Sequence, residues 1–248
     1  MAHAAYNPCI VIPVFNHPEG IAWVCERLAA FALPVILIDD GSDDHCRQVL
    51  AALDSEHDWI SLRRFNENRG KGAAVCAALL WAQQLGFSHA LQVDADGQHD
   101  LQDVPRFLAA SRAHPEAVVT GDRVAEGISA TRHYGRKLTD WLVWLETLSF
   151  CISDSMCGYR IYPLQCTAAL LQTRRVGQRM DFDTDILVRL YWRGLQVVQV
   201  KTRVIYREGI PSHFRMLWDN LYMIRMHLRL LFGMLPRAPL LLTRKFTH

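Results

Sequence analysis

The chain alternates short apolar runs with stretches whose apolar residues recur at helical spacing. Cys9–Phe15 (CIVIPVF), Pro34–Ile38 (PVILI), Trp59–Phe65, Ala90–Val93 and Ala117–Thr120 are the candidate strands, each bounded by turn formers. Near-continuous apolar runs of this length are expected of strands buried on both faces. Between them, Ile21, Val24, Leu28 and Phe31 share one side of a predicted helix over 21–31. Asp43–Leu53 opens on an acidic first turn, Lys71–Leu85 is Ala-rich and stops at Gly86, and Leu101–Ala110 forms a further helix. Strand–helix alternation to about residue 121 predicts a doubly wound α/β domain. Such sheets take ligands at the carboxyl ends of their strands. Three polar clusters fall there: Asn16-His17, Asp39-Asp40-Gly41-Ser42 and Asp94-Ala95-Asp96.

The last part of the chain follows a different pattern. At ~100° per residue, Phe214, Leu217, Leu221, Ile224, Leu228, Leu231 and Leu235 share one helix face, and Arg215, Asp219, Arg225 and Arg229 gather opposite. Trp218 sits near the boundary, and Pro236 and Pro239 end the pattern. The spacing predicts an amphipathic helix that either lies on a membrane surface or packs its apolar face on the domain. Leu138–Ile152 is a second apolar, Trp-rich stretch. It carries Glu146 and is too short to span a bilayer, so it either packs in the core or borders a lipid groove.

Composition narrows the reading. The 248 residues are half hydrophobic and about a fifth charged, enough for one large core or two small ones. Lys plus Arg is 27 against 25 acids, a net charge of +2, which argues against a bulk nucleic-acid binder. The seven cysteines are scattered, with no C-x-x-C pair, so neither a disulfide framework nor a Cys-rich zinc site is expected and a reducing compartment is. No secretory signal and no transmembrane span are expected.

Several clusters carry candidate chemistry. Asp94-Ala95-Asp96 sets two carboxylates after a strand, with Gln98 and His99 beyond. Mg²⁺ or Mn²⁺ takes such oxygens and bridges to substrate phosphates, although a solvated turn uses the same residues. Asp39-Asp40-Gly41-Ser42 suits a helix cap and turn, or contacts to a nucleotide's base and ribose. Asn68-Arg69-Gly70-Lys71-Gly72 is a glycine-flanked basic turn opening a helix, and helix N-termini of that kind attract phosphate. It lacks P-loop spacing.

In order along the chain stand VIPVFNH (11–17), ILIDDGS (36–42), NRGKGAA (68–74), LQVDADGQHD (91–100), GDR (121–123), DSMCGYR (154–160), FDTDILVRLYWRG (182–194) and EGIPSHF (208–214). This set resembles the inverting family-2 glycosyltransferases, most of all their dolichyl-phosphate mannosyltransferase-like branch. It spans residues 9–214. The resemblance implies a GT-A fold, a Rossmann-like nucleotide-diphospho-sugar transferase architecture, over residues 1–213. An amphipathic helical, membrane-associating tail would follow over 214–248. It implies that Pro13, Phe15 and Asn16 line the nucleotide pocket, with His17 where relatives often carry Glu. Asp39 and Asp40 would meet base and ribose, Lys71 would lie by the nucleotide, and Asp94, Asp96 and Gln98 would hold the metal. Arg123 and Arg136 would lie by the acceptor and donor phosphates. Gly158 would permit close backbone approach. Arg160 would be an acceptor contact or a loop-bonding structural residue. Asp181, Asp183 and Asp185 alternate where the family places an acidic acceptor-side residue. Asp183 is the preferred general base, although it and Asp185 also suit a helix N-terminus near Phe182. His213 would contact metal or phosphate, or serve structure.

The activity so implied is divalent-metal-dependent transfer of a sugar, with inversion, from a UDP- or GDP-sugar to a lipid-linked or other cell-envelope acceptor. The chain would be a bacterial envelope-biogenesis enzyme, cytoplasmic and peripheral on the inner face of the cell membrane. Two alternatives remain: a nucleotidyltransferase, which would usually carry a Gly-rich basic loop where VIPVFNHPEG stands, and a non-catalytic sugar-nucleotide-binding or scaffold protein of the same fold.

Overall fold

The computed structural model describes residues 5–124, 130–205 and 216–244. Seven strands form one sheet: β1 (Pro8–Val14), β2 (Val35–Asp39), β3 (Ile60–Arg64), β4 (His89–Gln92), β5 (Val118–Arg123), β6 (Arg160–Pro163) and β7 (Val197–Thr202). Their spatial order is β3-β2-β1-β4-β6-β5-β7. β6 runs antiparallel to both neighbours, and every other pair is parallel. The apolar runs of β1 and β2 are almost wholly buried because helices cover both faces. One core layer joins the sheet to α3 (Lys71–Gln84), α6 (Leu164–Thr173) and α7 (Phe182–Trp192). The other joins it to α1 (Pro18–Leu28), α2 (Asp44–Glu56) and α4 (Val104–Ala113).

Local chemistry accounts for the helix starts. Pro18 sits in the first turn of α1, where a missing N–H costs nothing. The Asp43 side chain accepts from the Cys46 amide and caps α2. The helix read from Leu101 begins with a tighter 3-10 turn over Leu101–Asp103 before α4 proper.

The stretch from Leu138 divides its loyalties. It belongs to α5 (Ala130–Thr147) and the turn after it. Asp140, Val143, Glu146 and Ile152 are buried, whereas Leu138, Trp141, Leu145 and Phe150 are exposed. α8 (Met216–Met234) packs on α5 and α7, and α9 (Ala238–Arg244) follows it. The stripe of α8 that faces the domain is Asp219, Met226, His227, Leu230 and Met234, not the one with the most apolar residues. Leu221, Ile224 and Leu228 of the expected apolar face are exposed, as are Trp218 and Phe232. The domain accepts a mixed stripe because it offers Glu146, which meets His227 Nδ1 at 2.7 Å, and Asp185, which meets Arg229. Phe214 and Arg215 lie outside the described residues, as does His213.

Candidate active site

The carboxyl ends of β1, β2 and β4 deliver the expected polar clusters side by side. After β1, Asn16 takes a positive φ of 53°, a conformation Asn tolerates better than most residues. Its amide donates to Ser42 Oγ at 3.0 Å, and its side-chain oxygen accepts from the Asp43 amide at 2.8 Å. Asn16 thus ties the end of β1 to the turn after β2. Pro13 lies in β1 itself, and Phe15 follows the strand half-buried.

Asp39 and Asp40 are both buried and both engaged. Asp39 accepts from the Ser42 amide at 2.8 Å and pairs with Arg64. Asp40 accepts from Asn68 Nδ2, the Arg69 amide and the Gly70 amide at 2.7–3.0 Å. Burial raises the Asp40 pKa, although those amides and Arg179 oppose the rise. The carboxylate shapes the N-R-G-K-G turn and so aims Lys71. Gly70 is required there: its φ is 101°, and a Cβ would lie 2.5 Å from the Gln178 carbonyl oxygen.

Lys71 is the hub of the site. Its ammonium lies 2.8 Å from Asp94 Oδ2 and 3.2 Å from Asp183 Oδ2. Burial alone would lower the lysine pKa, but the two carboxylates outweigh it and the net shift is upward, so Lys71 is a fixed cation. Asp94 shows the mirror effect: burial raises its pKa, yet Lys71 and His99 hold it below the ordinary carboxylate value. Its Oδ1 is buried without a hydrogen-bond partner. Asp96 is half-buried and accepts from the Gln98 amide at 3.0 Å. His99 stacks on Tyr159 with 4.6 Å between ring centroids. The Asp94 amide donates to its Nδ1, and its Nε2 lies 3.6 Å from Asp94 Oδ2. Gly158 faces this group directly. A Cβ there would lie 2.8 Å from Lys71 Nζ, 2.9 Å from Gln92 Nε2 and 3.2 Å from Asp94 Oδ2.

A second cluster forms around Asp154, which is buried in the loop before β6. Arg123, the last residue of β5, clamps it with Nε and Nη2 at 2.6 and 2.8 Å, and Arg136 of α5 lies 4.0 Å away. This is the two-pronged geometry at which arginine excels.

The three alternating acids part company. Asp183 joins Lys71, and its Oδ1 accepts from Gln92 Nε2 at 3.2 Å. Asp181 sits at the N-cap of α7, where its Oδ1 accepts from the Arg179 amide. Asp185 lies apart, fully buried: it accepts from the Gly177 amide, Arg189 and Arg229 at 2.6–2.7 Å. With three donors and no exposure, it anchors α8 and the 177 turn. Arg160 is also fully buried and bonds loop carbonyls, so of its two expected roles the geometry fits the structural one. Gln92 and Tyr162 complete the site, though sequence reasoning gave neither a role. A polar residue ending the buried run HALQ was the available signal for Gln92.

A largely parallel sheet with one antiparallel insertion, and with acids, a lysine and arginines gathered near its strand ends, defines a GT-A glycosyltransferase fold. Solved structures share it. Glucosyl-3-phosphoglycerate synthase from Mycobacterium tuberculosis, in complex with Mn²⁺, UDP and glucosyl-3-phosphoglycerate, superposes with a TM-score of 0.66 at 15% identity, over 94% of this chain and 80% of that one. A mannosyltransferase from Pyrobaculum calidifontis, in complex with GDP-mannose and Mn²⁺, gives 0.58 at 13% identity, over 98% and 76%. The profile of glycosyl transferase family 2 matches residues 9–168, and the chain belongs to that family. It is a glycosyltransferase. Among its relatives, the undecaprenyl-phosphate mannosyltransferase of Micrococcus luteus is 26% identical over 204 residues, which is 80% of this chain and 83% of that protein. The polyprenol monophosphomannose synthase of Mycolicibacterium smegmatis is 25% identical over 206 residues, 80% of this chain and 77% of that protein.

Proposed function

We propose that the protein moves a sugar, with inversion, from a UDP- or GDP-sugar to a lipid-linked phosphate of the cell envelope. The observation that carries this reading is the Asp183–Lys71–Asp94 cluster at the strand ends. A hydroxyl acceptor needs a general base. Asp183 is poorly placed to serve, because Gln92 occupies one oxygen and Lys71 the other. A lipid phosphate brings its own negative charge and needs no base. Arg123 and Arg136 are cations suited to such a group, and Asp154 holds them side by side. Relatives named undecaprenyl-phosphate mannosyltransferase and polyprenol monophosphomannose synthase support the same reading.

The donor is read from the other cluster. Asp94, Asp96 and Gln98 offer hard oxygen atoms, and the unpartnered Asp94 Oδ1 fits a Mg²⁺ or Mn²⁺ ion. Among the described residues, no group of three or more His, Cys, Asp or Glu side chains forms a closed metal site. Asp94 and Asp96, with Gln98, would hold such an ion, leaving room for water and the donor's phosphates. When bound, it supplies Lewis-acid stabilisation of the departing nucleoside diphosphate. Lys71 adds a fixed positive charge on the same side. Pro13, Phe15 and Asn16 would border the nucleotide, with Asp39 and Asp40 shaping the turns around it.

The acceptor's lipid nature agrees with the outer surface. Leu138, Trp141, Leu145 and Phe150 near α5, and Leu221, Ile224, Leu228 and Phe232 on α8, are all at least 40% exposed. A shallow apolar cleft of about 230 Å³ runs between Trp141, Trp144, Leu148 and Phe150. Apolar surface on this scale is costly in water and marks a docking face. No helix among the described residues is long and apolar enough to cross a membrane. The catalytic domain would be residues 1–213, with residues 214–248 resting on the cytoplasmic face of the membrane.

The test is turnover. UDP-glucose, UDP-N-acetylglucosamine and GDP-mannose are each offered with Mn²⁺ and undecaprenyl phosphate in detergent. One donor should give a metal-dependent glycolipid product that Asp96→Asn abolishes. No product from any donor, together with no Mn²⁺-dependent thermal stabilisation by UDP or GDP, overturns the reading.

A further inference from the structure

Three buried polar residues outside the proposed chemistry form a continuous chain behind Asp183. Gln92 ends β4, Arg160 opens β6, and Tyr162 follows two residues on. The sheet register sets Gln92 opposite Arg160 and Arg160 opposite Thr120. All three members of the chain are fully buried.

Arg160 spends five hydrogen bonds there. Nε donates to Thr120 Oγ1, Nη1 to the Tyr162 hydroxyl and the Asp183 carbonyl, and Nη2 to the Ser155 and Cys157 carbonyls, at 2.7–3.4 Å. A guanidinium has five N–H groups, so none is left over. Burying a charge is expensive, and packing alone could be met by an apolar side chain. What the guanidinium achieves is a junction of four segments: β5, β6, the first turn of α7 and the turn over 154–158. That last turn carries both Asp154, which clamps Arg123, and Gly158, which abuts Lys71 and Asp94.

From the junction a directed chain reaches the site. Tyr162 accepts from Arg160 and donates its hydroxyl proton to Gln92 Oε1 at 3.0 Å. With its oxygen so occupied, the Gln92 amide cannot flip, and its nitrogen must face Asp183 Oδ1. Asp183 is thereby oriented with Oδ2 toward Lys71, which reaches on to Asp94.

We infer that Arg160, Tyr162 and Gln92 form a positioning relay for sugar transfer, which fixes the Asp183 carboxylate and through it the place of Lys71. The inference rests on the reading that this cluster faces the donor. None of the three touches a reacting atom, so each acts through Asp183.

Tyr162→Phe and Gln92→Met remove the hydrogen bonds while keeping shape. On the donor and acceptor pair that wild type turns over, each variant should lose about tenfold in kcat with donor KM changed less than twofold. The double variant should be no worse than either single one, because members of one chain fail together. Arg160→Lys, which keeps the charge but not the fork, should also lose kcat. An unchanged kcat in both single variants, or losses that multiply in the double, overturns the inference. A second arm stands without turnover. Amide hydrogen exchange over 154–158 and 177–185 should quicken in each single variant, and no further in the double, at an unchanged melting temperature. Absence of wild-type turnover sinks the functional reading and leaves this arm to decide alone, and unchanged exchange there overturns the relay.

Discussion

Replacing Asp140 with asparagine tests how the chain tolerates a buried carboxylate. Asp140 sits on α5 at 1% exposure, and neither of its oxygens makes a well-formed hydrogen bond. Burial is the largest influence on it, and the neighbouring Asp154 carboxylate adds to the effect; together they raise its pKa from 3.8 to about 6. Lys137, Arg136 and the nearby Ser155 amide relieve it only in part. The sign follows from linkage. Below the unfolded value the group is protonated in both states and costs nothing. As pH rises, the unfolded chain releases the proton first, and stability falls until the folded group has also ionised. The cost is therefore fully present above about pH 6 and absent below about pH 4. A rise from 3.8 to about 6 corresponds to ~3 kcal/mol at 1.36 kcal/mol per pH unit. The added amide of asparagine needs partners too, so a net gain of roughly 1–3 kcal/mol is expected. Urea unfolding of wild type and Asp140→Asn should show the variant ahead by that amount at pH 7.5 and level with wild type at pH 3.5. A gap independent of pH, or a variant less stable at pH 7.5, refutes the reasoning.

Three other variants probe the site, its supports and the outer face. Gly158→Ala puts a methyl group 2.8 Å from Lys71 Nζ and 2.9 Å from Gln92 Nε2, so both must move. Transfer should fall by tenfold or more while circular dichroism stays that of wild type, and wild-type rates would show that the close approach is dispensable. Asp185→Asn removes the buried charge that serves Arg189, Arg229 and the Gly177 amide, and should cost about 3 kcal/mol in urea unfolding. A change below about 0.5 kcal/mol would mean that this junction holds nothing. Ile224→Glu with Phe232→Glu alters residues 58% and 70% exposed, so the melting temperature should hold while sedimentation with anionic phospholipid vesicles is lost. Equal vesicle binding by the double variant would refute the proposed membrane face.

What the sequence made legible was whatever local pattern decides. The apolar runs before residue 121 became strands because nothing in them invites another fate, and helix α7 starts at Phe182 where the alternating acids predict it. The polar clusters fell at the strand ends for the same reason: a buried parallel sheet leaves its polar residues nowhere else. Two things were not local. β6 inserts between β4 and β5 and runs against both, a pairing set by residues up to 74 positions apart (Pro163 against His89). The orientation of α8 was decided by what α5 and α7 offer it. A helical wheel ranks stripes by apolar content, but the domain presented Glu146 and Asp185, which need a His and an Arg more than they need leucine. The stripe carrying Met226, His227 and Leu230 turned inward, Arg229 reached Asp185 from the exposed side, and the richer apolar stripe was left outside. The same logic hides most of the active site. Asp40, Asp94, Asp183 and Arg160 were expected near the site, but which of them pair with one another depends on partners from distant segments. The usable signal was narrower than a motif: a polar residue set beside a buried apolar run, as Gln92 is after Ala90-Leu91 and Arg160 is before Ile161-Tyr162, must have a buried partner, and that partner marks the site.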